Sequence, residues 1–295
     1  MAIVIVAAVV IAVQFIQPNA NVLPDGAPPQ WEVTISGDVE QEKSFSLDEI
    51  SKMPLTTVVR KVDDQNVTYK GVTLYEFCNQ TGVLWDAGPI NVISKSGQQA
   101  TLNIFQAWNS TVYPYFQDSN RIMLVFIKDS QWMTEQTGGP VQLVAPYFSE
   151  DYQIEHVSEV NVDLWTVSVS GLVGNPITVS SKNMSLIQEA TIEGEFVPGG
   201  GGKRTSNWTG LSLSDMLQVT NISSRAHRIL VVAIDGYSKS YTLQEMADAQ
   251  MLVGYKENGA PILHDQGGPF RLFCLSDKYK WGQFWVKFVT EIVVY

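Results

Sequence analysis

Alternating apolar and polar residues open each half of this chain, at residues 31–37 (WEVTISG) and 165–171 (WTVSVSG). A period of two places one face of an extended segment in a core and the other in solvent, so both stretches are predicted to be β-strands. Apolar residues at helical spacing follow within residues 71–82 and 210–221, which predicts one short amphipathic helix in each half. The first two elements of the two halves therefore match.

The rest of the pattern also repeats. Each half continues with a strand–turn–strand unit, a further strand and an apolar strand: residues 90–102, 122–129 and 141–146 in the first half, and residues 229–243, 250–262 and 270–275 in the second. Asp235-Gly236 and Asn258-Gly259 are typical of tight hairpin turns. Many strands with few helices, closed by a last strand in each half, predict a mixed sheet and an α+β fold.

A short identical motif indicates that this similarity is a tandem duplication. Residues 138–143 (GGPVQL) return as residues 267–272 (GGPFRL), and the opening strands, the helices and the closing strands return in the same order at a spacing of about 130 residues. A unit of that length is the size of a domain. We therefore expect two domains, at residues 31–163 and 164–295.

The residues before the first unit have a different character. Residues 1–17 are almost entirely apolar and predict a helix of about 25 Å, slightly short of the hydrocarbon core of a bilayer. An uncleaved membrane anchor, a filament core that packs against copies of itself, and a secretory signal remain open. Residues 18–30 are rich in proline and are expected to form a linker.

Charge and composition narrow the class of partner. The formal net charge is -11, and the longest run of basic residues is Lys203-Arg204, so the sequence does not predict nucleic-acid binding. An apolar fraction of 45% is typical of a globular chain. The four glycines before Lys203 lack the spacing of a phosphate-binding loop and predict a flexible loop.

Six Asn-x-Ser/Thr triplets point to the outside of the cell, because such triplets are glycosylation acceptors in secreted proteins. A surface rich in Ser and Thr that carries no glycans is the alternative. The expected location is therefore the cell surface, with anchoring through residues 1–17. The six acceptors are Asn66, Asn79, Asn109, Asn183, Asn207 and Asn221.

Five segments of the second unit, in this order, resemble the molybdopterin-binding domain of the sulfite oxidase family: WTGLSLSDML, IDGYSKSYTL, YKENGAPI, GGPFRL and WVKFVTEIVV. The resemblance covers residues 165–295 and extends more weakly to residues 31–163. It implies an α+β fold around a pterin pocket and, in active members, molybdenum bound through one cysteine thiolate. It also implies that Arg271 and Lys287 are cations that meet the anionic cofactor, with Asn258 and Tyr237 as further pocket candidates.

The sequence departs from the family at the metal ligand. The strand that carries the cysteine in the family corresponds to residues 191–196 (TIEGEF) and 57–62 (TVVRKV), and neither contains cysteine. A carboxylate such as Glu193 does not replace a soft thiolate. Cys78 and Cys274 lie elsewhere and are expected to be buried core thiols, although a disulfide between the units or a relocated metal ligand remains open.

Other candidate chemistry is sparse. The first unit has Gln142 and Glu155 where the second has Arg271 and Lys287. Asn258 and Tyr237, with Asp235, also suit purely structural turn roles, and Arg271 a structural role at a sheet edge. The three histidines lack metal-ligand spacing, and the sequence offers no convincing carboxylate pair, so no catalytic residue and no metal site are expected.

Three functions remain open at this point. The first is an anchored, glycosylated surface protein whose two catalytically silent domains serve as a structural or partner-binding module, without cofactor. The second is a molybdopterin-dependent oxidoreductase with an altered metal site. The third is a pilin-like filament subunit assembled through residues 1–17.

Overall fold

A computed structural model describes residues 22–62, 65–102, 122–145 and 153–295. The predicted helix at residues 1–17, the start of the linker and Asn109 lie outside these residues. Within them, no helix has the length and apolar character needed to cross a membrane.

The first repeat contains ten strands and two short α-helices in its described part. The strands are β1 (Glu32–Gly37), β2 (Lys43–Ser46), β3 (Leu55–Val62), β4 (Gln65–Thr73), β5 (Ala87–Ser94), β6 (Gln99–Leu102), β7 (Met123–Lys128), β8 (Gln131–Trp132), β9 (Gln142–Val144) and β10 (Val157–Leu164). The helices are α1 (Leu47–Ser51) and α2 (Leu74–Gln80), and a 3-10 turn spans Glu135–Thr137.

The second repeat contains the same order of strands. They are β11 (Val167–Gly171), β12 (Ile177–Val179), β13 (Glu189–Phe196), β14 (Arg204–Ser212), β15 (Arg228–Ala233), β16 (Ser238–Thr242), β17 (Met251–Glu257), β18 (Ala260–Pro261), β19 (Arg271–Cys274) and β20 (Val289–Val294). The helices are α3 (Leu213–Val219) and α4 (Leu243–Asp248), with 3-10 turns at Met184–Leu186, His264–Gln266 and Gly282–Phe284.

Each repeat folds into two five-stranded sheets with one topology. The first sheet has the order β2-β1-β10-β5-β6, which returns as β12-β11-β20-β15-β16. The second has the order β3-β4-β7-β8 with β9 also on β7, and it returns as β13-β14-β17-β18 with β19 on β17. Among the described strands, only the pairs β1–β10 and β11–β20 are parallel, so the first sheet of each repeat is mixed and the second is antiparallel. The predicted α+β fold and tandem duplication are confirmed.

The parallel pair closes each repeat and explains two residues that recur. The indole nitrogen of Trp31 donates to the carbonyl of Val157 (2.6 Å), and that of Trp165 donates to Val289 (2.8 Å), so each tryptophan holds the start of the closing strand. Gly171 ends β11 with φ 93°, and a β-carbon there would overlap the carbonyl oxygen of Val294. Only glycine tolerates both the positive φ and this close approach.

The two repeats pack against each other around Trp85. Its ring lies 6.2 Å from that of Tyr255 and 6.4 Å from that of Phe270, both of the second repeat. One hydrophobic core cluster contains buried side chains from both repeats. The repeats therefore pack together through a shared hydrophobic core and are not two separate domains joined only by a linker.

The described part of the proline-rich segment lies against the first repeat. The ammonium of Lys70 donates to the carbonyl of Val22 (2.9 Å), and the indole of Trp132 donates to the carbonyl of Gly26 (3.3 Å). Leu23 packs against the core. These contacts make residues 22–30 part of the surface of the first repeat.

Candidate functional site

A buried arginine marks the candidate site in the second repeat. Arg271 is the first residue of β19 and is only 3% exposed. Its Nη1 donates to the carbonyl of Gln266 (2.8 Å), whereas its Nε has no hydrogen-bond partner in the described part of the chain. Burial, followed by the nearby charge of Arg204, lowers the pKa of Arg271 to about 10. The guanidinium therefore stays charged at neutral pH with part of its hydrogen-bonding capacity unused.

Two further cations lie close to this arginine. Arg204, at the start of β14, pairs with Glu257 at 3.1 Å. Burial and the charges of Arg271 and Arg204 lower the pKa of Lys287, although part of that side chain reaches solvent. Three positive charges thus converge near one carboxylate, which favours an anion. The sequence predicted Arg271 and Lys287 here but missed Arg204, which only the β13–β14 hairpin brings to the site.

Four aromatic side chains fill the space beside Arg271. The ring centroids of Phe196 and Trp285 are 4.4 Å apart, those of Trp208 and Phe273 4.6 Å, and those of Trp208 and Trp285 5.0 Å. The guanidinium carbon of Arg271 lies 5.7 Å, 6.0 Å and 5.9 Å from the centroids of Phe196, Phe273 and Trp285. Cation–π attraction therefore offsets part of the cost of burying the charge.

The strand that should carry the thiolate borders this aromatic cluster. In the stretch TIEGEF on β13, Gly194 is the residue in the buried class, and its neighbours are half-buried or exposed. A β-carbon there would come within 2.8 Å of Leu275 Cδ2 and 3.5 Å of Trp208 Cδ1. Leucine and tryptophan side chains already occupy the space into which a metal-binding side chain would point.

Neither cysteine replaces the missing ligand. Both are free and buried, so the disulfide alternative is wrong. Burial raises the pKa of Cys78 to about 12, and it also raises the pKa of Cys274. Cys274 Sγ donates to the carbonyl of Phe284 (2.9 Å). Because side chains alternate along β19, Cys274 points to the opposite face from Arg271 and is not a relocated ligand of this site.

The other two predicted pocket residues lie in hairpin turns. Asn258 has φ 51°, and its Oδ1 accepts from the backbone nitrogen of Asn207 (2.9 Å). Tyr237 is 49% exposed, and its backbone nitrogen donates to Asp235 Oδ1 (3.0 Å). The hydrogen bonds at both positions hold the turns.

The corresponding place in the first repeat has the same backbone but different charges. The backbone nitrogen of His156 donates to the carbonyl of Gly138, as that of Phe288 does to Gly267, so the two turns correspond. Glu155 then occupies the place of Lys287, and buried Gln142 that of Arg271. The first repeat therefore lacks these two cations.

Side chains that could hold a metal without cysteine are also not gathered together. Among the described residues, no three His, Cys, Asp or Glu side chains lie in an arrangement suited to a metal ion.

The structure does bring together one carboxyl pair that the sequence did not indicate, Asp38 and Asp86, at the boundary of the repeats. Residues so far apart in the chain give no local signal of such a pair.

The described glycosylation acceptors differ in accessibility. Asn66, Asn79, Asn207 and Asn221 are exposed. Asn183 is half-buried: its Oδ1 accepts from the backbone nitrogen of Ser180 (2.7 Å), and its Nδ2 donates to the carbonyl of Thr178 (2.8 Å).

Comparisons with known proteins agree with the duplicated fold. The family model described as "Oxidoreductase molybdopterin binding domain" matches residues 20–162 and again residues 154–295. The chain is 23% identical over 108 residues to the uncharacterized oxidoreductase YuiH of Bacillus subtilis (strain 168), which covers 36% of this chain and 54% of that protein. The chain thus matches about half the length of this relative.

Among solved structures, the chain is similar to the sulfane dehydrogenase SoxCD from Paracoccus pantotrophus. The identity is 13% and the TM-score is 0.37, with 71% of this chain and 58% of that chain covered.

Replacing Arg271 with methionine tests whether this buried guanidinium is incompletely paired. Arg271→Met should leave the free energy of unfolding unchanged or raise it by up to about 2 kcal/mol, because an apolar chain removes an incompletely paired buried cation. If Arg271 were one partner of a well-paired buried ion pair, its removal would instead lower the free energy of unfolding by about 3–5 kcal/mol, because the other charge would remain buried and unpaired. Urea unfolding followed by far-UV circular dichroism measures the difference.

The matched control for that change is Arg225→Met, since Arg225 is exposed. It should alter the free energy of unfolding by less than about 0.5 kcal/mol. A loss of more than about 2 kcal/mol confined to Arg271→Met would mean that the guanidinium is a structural brace and not a cation kept without full pairing.

Proposed function

The chain belongs to the family of oxidoreductase molybdopterin binding domains, which it contains in tandem, and we propose that it uses both copies as a catalytically silent structural or partner-binding module at the cell surface. Silent here means that neither copy performs the oxidation chemistry of active family members. A fold commonly persists after the reaction it once supported is lost.

The observation that carries this proposal is the state of the β13 strand. The resemblance to the sulfite oxidase family implies a thiolate on this strand, but Gly194 faces Leu275 and Trp208 there. Both cysteines are buried with raised pKa values, so each holds its proton at neutral pH. A soft thiolate, the donor that this cofactor's metal requires, is therefore missing from the second repeat.

The fit of molybdopterin to the residues present is only partial. Arg271, Arg204 and Lys287 suit the anionic part of such a cofactor, and the unpartnered Nε of Arg271 is a free donor for it. The metal has no matching donor. We therefore assign no chemical step to a bound cofactor.

The same cations support a second candidate function, that of an oxidoreductase. A molybdopterin-dependent oxidoreductase with an altered metal site would use Arg271 and Lys287 to hold the cofactor and a different ligand for the metal. The second repeat alone would do so, because Gln142 and Glu155 replace these cations in the first.

The proposed location rests on the acceptor triplets and the apolar N-terminal stretch. Four described acceptor asparagines are exposed, which suits glycosylation outside the cell. Residues 1–17 would anchor the chain in a membrane or, in a pilin-like alternative, pack against copies of themselves. Other surface proteins are the expected partners, and a chain with a net charge of -11 does not suit nucleic acid.

Metal and pterin analysis tests catalytic silence. Full-length protein made in a host that supplies molybdopterin should contain far less than one molybdenum and one pterin per chain, because the thiolate ligand is missing. Inductively coupled plasma mass spectrometry and fluorescence of the oxidised pterin provide the two counts. If the wild type contains one molybdenum per chain and Arg271→Met does not, the chain is an oxidoreductase with an altered metal site and the proposal of a catalytically silent module is wrong.

The acceptor asparagines give a second prediction, about location. Protein from its native membrane fraction should carry glycans at Asn66, Asn79, Asn207 and Asn221, and none at Asn183, whose Nδ2 is bonded to Thr178. Mass spectrometry of peptides before and after deglycosylation reports each site. Unmodified peptides at all four exposed sites would remove the main support for an outside location.

A further inference from the structure

Successive backbone carbonyls of the first repeat are held by the second repeat. The carbonyl of Asp86 accepts from the backbone nitrogen of Trp165 (2.9 Å). The carbonyl of Ala87 accepts from His264 Nε2 (2.8 Å), a buried imidazole. These bonds adjoin the packing of Trp85, so residues 85–87 form one attachment between the repeats.

The side chain of Asp86 meets a second buried carboxyl at this attachment. Asp38 follows the end of β1, where its backbone nitrogen donates to the carbonyl of Val162 (2.7 Å). Asp38 and Asp86 are each 3% exposed, and their carboxyls lie within hydrogen-bonding reach of each other. Asp38 Oδ2 has no hydrogen-bond donor among the described residues. Two ionised carboxylates only accept hydrogen bonds, so a hydrogen bond between the two carboxyls requires a proton.

The charges around the pair match one shared proton. Lys182, from the second repeat, places its ammonium 3.9 Å from Asp38 Oδ1 and is itself largely exposed. A pair with one proton carries a single negative charge, which Lys182 compensates. A pair with no proton carries two buried negative charges against one cation, and a buried uncompensated charge is unfavourable.

We propose that Asp38 and Asp86 share one proton at the boundary of the repeats, and that loss of this proton loosens the attachment at residues 85–87. The pair thus makes the docking of the two domains respond to pH. This inference is independent of whether the second repeat binds a cofactor, because the pair lies at the boundary and not beside Arg271.

The direction of the response follows from the group that is perturbed. Burial, then the charge of Asp86, raises the pKa of Asp38 from 3.8 to about 6, while Lys182 opposes the shift. A carboxyl with a raised pKa contributes docking stability that is fully present below about pH 4 and is lost as the pH rises through about 6. Docking should therefore weaken toward neutral pH.

A histidine at the same boundary acts in the opposite direction. Burial lowers the pKa of His264, which faces Asp265 and Asp86. Its protonation in acid therefore opposes docking, and the net pH profile of the wild type combines both groups. The contribution of the carboxyl pair is the difference between the wild type and a variant that lacks one carboxyl, since His264 is present in both.

Hydrogen exchange at the Trp165 amide tests the proposal, because this amide donates to the backbone carbonyl of Asp86 across the boundary. Full-length protein is exchanged at pH 5 and pH 8, and each rate is divided by that of the unfolded peptide. Between pH 5 and pH 8 we expect the protection factor of the wild type to fall by at least about tenfold more than that of Asp38→Asn. Asp86→Asn should behave in the same way and serves if the first variant does not fold.

Two further variants sharpen the test. Lys182→Met should move the loss of protection to higher pH, because the pair then holds its proton more tightly. Asp48→Asn removes an exposed carboxylate and should leave the wild-type profile unchanged. If the wild type and both asparagine variants show the same change in protection between pH 5 and pH 8, the shared proton is not what controls docking.

Discussion

The parallel pairing between the first and last strands of each repeat is the constraint on which the rest of the molecule depends. It joins residues more than 120 positions apart, such as Ser168 and Glu291, and closes the sheet into one unit. Lys287 lies two residues before the start of the closing strand, and the backbone nitrogen of the next residue, Phe288, donates to the carbonyl of Gly267. Closure therefore places Lys287 beside the Gly-Gly-Pro turn that precedes Arg271. The cationic cluster of the second repeat therefore depends on this pairing for Lys287.

Much of this architecture could be predicted because its signals are local. The alternating strands, the recurring tryptophan and glycine, and the repeated Gly-Gly-Pro all lie in the sequence at one spacing. Helices α1 and α4 were missed although a signal was present: Ser46 with Glu49, and Thr242 with Glu245, form capping boxes at their starts. The stretch containing Thr242 was interpreted only as the end of a strand, because its alternating pattern continues up to that residue.

The candidate site was predictable only in part. Arg271 and Lys287 were identified through their motif, but the ring cluster of Phe196, Trp208 and Trp285 depends on a hairpin and a distant segment that no local pattern joins. Asp38 and Asp86 meet for the same reason. The outcome is a second repeat that keeps a cluster of cations while aromatic and leucine side chains occupy the place of the metal ligand. The first repeat keeps the backbone and has neither Arg271 nor Lys287 at the corresponding positions.

The central claim is that the folded chain offers no thiolate to a metal. Reaction of the native full-length protein with a disulfide reagent such as Ellman's reagent at pH 8 tests it most directly, because only accessible thiolate reacts at a useful rate. The account predicts no reactive thiol in the native protein and two after denaturation, from Cys78 and Cys274. A thiol that reacts rapidly in the folded protein would contradict it.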